Sequence, residues 1–206
     1  MSYQNWMKNL DKLEAKERDI LLGTSLSQLF SKWPLWLSHP ANISGLYGIL
    51  VSLSLLMPYA FGADVNEAWF EKWIVHSAFL VVACSISGFA SALIVHFSKR
   101  FPVQPPRTIL YPMPFLGLAL ITIDRTDLVS LSALVTLIWM FLLFPGPLYV
   151  HLSWAPRYRL LCMLEDGGNP FEGMAHVQDE LEPVHEDLTD QESELIEVVE
   201  AFDSEE

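Results

Sequence analysis

The chain has 206 residues, 51% of them apolar and only 18% charged, against the roughly 25% charge of an average soluble domain, which argues against an ordinary water-soluble enzyme. Its net charge of -13 is unevenly divided: residues 1–164 hold all 12 Lys and Arg with 9 Asp and Glu, whereas residues 165–206 hold 16 acids and no Lys or Arg. An apolar, mildly basic body is thus joined to an acidic tail, and basic surface for direct nucleic-acid binding is scarce.

Residues 1–40 read as a cytoplasmic or interfacial segment. Residues 3–30 have the pattern of one weakly amphipathic helix, with Trp6, Leu10, Leu13, Ile20 and Leu21 near one face and Leu26, Leu29 and Phe30 following. Such a helix would rest on the inner leaflet with Lys8, Lys12 and Lys16 toward lipid phosphates. No cleavable signal peptide is expected, because Met1 to Arg18 alternates Lys with Asp and Glu where a basic start and an apolar run would be needed. Asn42-Ile43-Ser44 matches a glycosylation acceptor but falls too close to the membrane, or on the wrong side of it, to be used.

Residues 41–160 are read as a transmembrane domain, since about 20 helical residues cross a hydrocarbon core of about 30 Å. Four spans are predicted, at about 43–61, 73–97, 108–123 and 128–152. The third is short and carries Pro112 and Pro114; the fourth is interrupted by Pro145, Gly146 and Pro147, where a kink is expected. The spans alternate with short polar turns, so the expected fold is an all-α membrane protein of four antiparallel transmembrane helices. Ten Lys and Arg flank one side of this threading and only Lys72 and Arg125 the other, which places both termini in the cytoplasm. Trp33, Trp36, Trp69, Trp73, Tyr149, Trp154 and Tyr158 fall where interfacial aromatic belts belong. The expected location is a plasma membrane, a bacterial inner membrane being preferred.

Small residues recur every four positions in the second span, Ala83, Ser87 and Ser91 on one row and Cys84, Gly88 and Ala92 on the next, and Ser44, Gly48 and Ser52 repeat the spacing in the first. Close helix packing follows, within the chain or against a second copy. His76 is a titratable group within an apolar span, and such a group is a candidate proton site by default. Its plainer explanation is an interfacial histidine near Glu67 and Glu71. Pro145, Gly146 and Pro147 could serve as a gate, or simply bend the helix. Serines 85, 87 and 91 could line a pore, or return hydrogen bonds to their own backbone. Asp64, Glu67, Glu71, Asp124 and Asp127 on the outer turns read as solvated loop acids. Cys84 and Cys162 are too differently placed to pair.

Residues 161–206 are read as an acidic, largely disordered cytoplasmic tail. At its end Thr189 to Glu192 has capping-box spacing, and Leu195, Val198, Val199 and Phe202 recur at helical intervals, so residues 190–202 suit docking as a helix into a partner's groove. His176 and His185 specify no metal geometry.

The chain has no Walker lysine loop, GxGxxG, GxSxG, HExxH or CxxC motif, so neither catalysis nor a cofactor or metal is expected. The leading expectation is a non-enzymatic structural or adaptor subunit of a larger membrane complex, of secretion, conjugation, sensing or defence type. Its expected partners are membrane lipid, further membrane subunits or copies of itself, and a cytosolic protein bound through residues 189–206. The alternative is a small channel or carrier using the second and fourth spans.

Overall fold

A computed structural model describes residues 5–10, 12–61, 68–126 and 132–171, and every regular element among them is helical, with no strand. The tail helix and its residues Leu195, Val198, Val199 and Phe202 lie outside the described residues, as do Asp64, Glu67 and Asp127.

The N-terminal segment is three short helices where one was predicted: α1 (Asn5–Leu10), α2 (Ala15–Leu22) and α3 (Ser25–Ser31). Local capping chemistry divides them. The Glu14 N–H donates to Glu17 Oε2 at 3.0 Å and starts α2. Thr24 and Ser27 exchange bonds at the start of α3, the Ser27 N–H donating to Thr24 Oγ1 and the Thr24 N–H to Ser27 Oγ. Each reciprocal cap satisfies amide donors that a continuous helix would have used internally. The apolar face, with Trp6, Leu13, Leu21 and Phe30, is buried within the protein. This corrects the expectation of a helix lying on lipid: the face has a protein surface to cover.

Three helical runs, Pro40–Ala60, Trp69–Ser98 and Val135–Glu165, are long and apolar enough to cross a bilayer. Helices α4 (Pro40–Phe61) and α5 (Trp69–Ser98) form an antiparallel pair in which small residues permit close approach. A Cβ added at Gly48 would lie 3.0 Å from Val81 Cα, and one at Gly88 would lie 2.5 Å from the Pro40 carbonyl oxygen and 2.8 Å from Ala41 Cα. Both rows read from the sequence therefore meet inside the chain, with Cys84, Ser52 and Ser91 also buried. Ser87 and Ala92 are partly buried.

The predicted third span is helical in two pieces, α6 (Arg107–Leu110) and α7 (Pro112–Arg125). Proline at the first turn of α7 explains the division at Tyr111, because Pro112 has no N–H to continue the ladder from α6. Helix α7 has 14 residues, about 21 Å of rise. It packs against α8 (Val135–Leu143), where a Cβ on Gly117 would lie 2.9 Å from the Leu142 side chain.

The last run continues beyond the predicted end at Leu152. Helix α8 gives way at Phe144 to α9 (Pro145–Tyr149), a wide π turn follows at Val150–Trp154, and α10 (Ala155–Glu165) completes it. Val51, Leu55, Tyr59 and Leu80 join Ile121, Ile138 and Leu142 in the buried core. Outside it, Phe79 is 66% exposed, Ile86 64% and Phe97 79%. So wide an apolar belt is not stable against water and matches a lipid-covered surface.

Gly88→Ala should lower thermal stability in detergent by about 1–3 kcal/mol, because the added methyl meets α4 backbone that has no rotamer to yield. At an open helical position the same change raises stability. A melting temperature unchanged or raised would show that α4 and α5 do not meet at Gly88.

Candidate functional site

One end of the bundle gathers the N-terminal segment, the loop after α5 and the foot of the last run. Trp154 is fully buried, and its indole Nε1 donates to the Ser38 carbonyl at 2.7 Å. The Phe30 ring meets it edge-on with centroids 5.1 Å apart, and Ser38 Oγ donates to the Phe30 carbonyl at 2.7 Å. The connection from α3 to α4 is thereby tied to the π turn.

Arg157 was legible from the sequence only as one of the basic residues at the membrane exit, yet it is 3% exposed. Its Nε donates to the Ile20 carbonyl at 2.9 Å and its Nη1 to the Ser153 carbonyl at 3.0 Å and to Ser153 Oγ. A guanidinium is kept inside protein when its fixed donors find fixed acceptors. Below it, the Trp6 N–H donates to Glu165 Oε2 and Asn9 Nδ2 to the Leu164 carbonyl, both at 2.8 Å.

The loop after α5 joins the same end. Lys99 caps α5 in the left-handed region at φ 52°, and its carbonyl accepts from Arg159 Nη2 at 3.0 Å. Arg100 Nη1 lies 3.3 Å from His151 Nε2, and the Val103 N–H donates to the Leu152 carbonyl at 2.9 Å. Residues before α4, after α5 and in the last run, which the sequence placed on a common side by their charge, are thus held together by direct contacts.

His39 caps α4 with its imidazole. Nδ1 accepts from the Ala41 N–H at 3.2 Å, and the ring meets Tyr158 edge-on at 5.3 Å between centroids. Burial lowers its pKa below the ordinary imidazole value, so the neutral form is the one that fits.

At the opposite end His76 is brought to residues that the sequence reading did not connect with it. Nδ1 is hydrogen-bonded to Tyr59 Oη, and the ring lies 5.3 Å from that of Trp139. The Arg125 guanidinium carbon sits 4.2 Å from the centre of the Tyr59 ring, a cation–π distance. Together with Asp124 they line a cavity of about 240 Å³. Ile121 and Ile138 in its wall belong to the apolar core.

The proposed gate is filled by an aromatic ring. Pro145 and Pro147 carry no N–H to return to carbonyls one turn back, which interrupts the helix. At that interruption Tyr47 Oη donates to the Leu142 carbonyl at 2.7 Å. A Cβ on Gly146 would run into the Tyr47 ring. Of the serines considered for a pore, Ser91 is buried and donates to the Ser87 carbonyl at 2.8 Å. Cys84 and Cys162 are free thiols, and among the described residues no three His, Cys, Asp or Glu side chains converge as metal ligands.

No protein-family model, curated protein or solved structure matches the chain.

Arg157→Met should destabilise the joined end, since the Ile20 and Ser153 carbonyls lose their donor; about 1–3 kcal/mol is expected. Hydrogen exchange at residues 15–31 reads the effect, and unchanged protection there would mean that Arg157 does not hold the segment. His39 predicts a pH effect of definite sign. Its depressed folded pKa means that the unfolded chain binds more protons at acid pH, so the His39 contribution should destabilise the folded state progressively as pH falls through about 6.5. His39→Asn, which retains a capping acceptor without titrating there, should flatten that part of a detergent melting profile. Identical profiles for the two proteins would remove His39 as the cause.

Proposed function

We propose that the chain is a non-enzymatic integral membrane subunit of four antiparallel passes, a structural or adaptor component of a larger assembly of secretion, conjugation, sensing or defence type. The observation that carries this reading is the tying of residues 6–38 to residues 153–165 by Arg157, Trp154 and Glu165. A chain whose beginning and exit are joined on one side must cross an even number of times between them. Helices α4, α5 and Val135–Glu165 supply three long limbs, and α6 with α7 supplies a shorter fourth that mismatch tolerance can accommodate. The basic residues assembled at that end make it the cytoplasmic one, in a plasma membrane and by preference a bacterial inner membrane.

In this arrangement the body fixes the point at which residues 169–206 leave the membrane domain. That acidic extension recruits a cytosolic protein through Leu195, Val198, Val199 and Phe202, the partner bearing basic residues around an apolar groove. Copies of the chain or other membrane subunits complete the assembly. The packing row at Gly88 is engaged within the chain, so lateral association uses another face.

A second reading, a small channel or carrier, draws on His76 with Tyr59 and Arg125 in their cavity, because buried titratable groups in spans often serve transport. The apolar wall of that cavity and the Tyr47 ring against Gly146 favour the adaptor.

Cross-linked co-purification of the full chain, a chain ending at Gly168 and a Val199→Asp variant tests the adaptor reading. A partner recovered with the full chain and lost from both variants is expected; identical partner sets would end the case for tail docking. The full chain in liposomes should pass no ions, and conduction abolished by His76→Ala would replace the adaptor with the channel.

A further inference from the structure

Three cations stand together where α5 meets the last run. Lys99 ends α5 and Arg100 follows it, and Arg159 of α10 reaches the same turn, its Nη2 donating to the Lys99 carbonyl at 3.0 Å. The loop that leaves this turn is fixed to the last run through the Val103 N–H and the Leu152 carbonyl, so the backbone bearing Lys99 and Arg100 is held in place.

None of the three has a carboxylate partner among the described residues. Arg159 is partly buried and its Nε is shut off from solvent without an acceptor, so the guanidinium rests on one neutral carbonyl. Arg100 meets the His151 imidazole, and the Lys99 side chain is exposed. The sequence places no acid within reach. One helical turn from Arg159 stand Ala155, Pro156, Cys162 and Met163, and one turn before Lys99 stand Val95 and His96. The next acid along α10, Glu165, accepts from the Trp6 N–H. Like charges gathered on one turn repel, and a partly buried guanidinium without a counter-charge is costly; an anion set among them removes both costs.

We infer that this turn binds the phosphate of an anionic membrane phospholipid, held by Arg159, Lys99 and Arg100. Arginine suits a phosphate because its planar fork presents paired donors to the anion's oxygens. The source is a lipid and not phosphate in solution, because exposed apolar side chains continue from the site: Phe97, Leu93 and Phe89 recur at helical spacing back along α5, where acyl chains joined to the phosphate would lie. A headgroup with its own cation, such as choline, would bring a further positive charge to three that lack a counter-charge, so the turn selects headgroups of net negative charge. The inference rests on the membrane reading of these helices and not on the adaptor role, so lipid titration and partner co-purification can fail separately.

The test is titration of the full chain in detergent with phosphatidylglycerol and, in a parallel arm, with phosphatidylcholine of the same acyl chains, bound lipid being counted by native mass spectrometry. Saturable binding of phosphatidylglycerol about tenfold tighter than phosphatidylcholine is expected. Lys99→Gln and Arg100→Gln should each weaken phosphatidylglycerol about fivefold and leave phosphatidylcholine unchanged. Arg159→Gln should weaken it at least as much. That change also removes a bond to the Lys99 carbonyl, so its melting temperature is read alongside, while Lys99→Gln alters only an exposed side chain and keeps the test independent of folding. Lys8→Gln combined with Arg18→Gln removes two exposed charges from α1 and α2 at the same end and should change nothing. An equal loss in that control, equal affinity for the two lipids, or binding unaltered by the changes at Lys99, Arg100 and Arg159 would overturn the site. Displacement of phosphatidylglycerol by inorganic phosphate at constant ionic strength would make it a free-anion site and overturn the lipid assignment.

Discussion

Polar groups within the helices must find their partners inside the protein, because so much of the outer surface is apolar that water is not at hand to supply them. The arrangement of the bundle follows this requirement closely. Trp73 Nε1 donates to the Ser52 carbonyl at 2.9 Å across the α4–α5 contact. Tyr47 reaches from α4 to the carbonyl at the broken end of α8. Tyr59 and His76 join α4 to α5 at one end, and Trp154 joins the last run to Ser38 at the other. These bonds connect different helices at defined heights, so they specify register as well as satisfying donors. Apolar side chains of similar size would slide past one another at little cost.

The bundle is consequently polarised along its length. At the basic end, short helices, a stiff loop and the foot of the last helix share a network centred on Arg157 and Trp154. At the other end Arg125, Tyr59, His76 and Trp139 enclose a small cavity that abuts the apolar core. Between them the close fit of Gly48 and Gly88 leaves α4 and α5 little freedom to part. The basic end is where chain segments from three parts of the sequence meet.

Tyr149 lies on α9 beside the prolines that interrupt the last run and lines both an apolar groove and a smaller polar recess. The helix break that the sequence suggested as a gate thus shapes one wall of this groove, while Tyr47 fills the space beside Gly146 and holds the break in place.

The sequence by itself determined the class of the molecule. Apolar runs near 20 residues, the alternation of small residues in α4 and α5, the asymmetry of Lys and Arg and the acidic tail depend on composition and local period, which need no knowledge of distant contacts. The helical interruption at Pro145 to Pro147 was legible for the same reason, since proline acts through its own missing N–H. Partnerships were not. Nothing in the neighbourhood of Arg157 distinguishes a buried guanidinium from a solvated one; its acceptor at Ile20 is 137 positions away. Glu14 and Thr24 divided a helix whose apolar periodicity ran through both caps, and its face found α10 where the pattern alone offered lipid. His76 could be singled out, but Tyr59, Arg125 and Trp139 come to it from three different helices. Only the packed structure decided these pairings, because hydrogen-bond geometry and burial belong to the meeting of helices and not to any one of them.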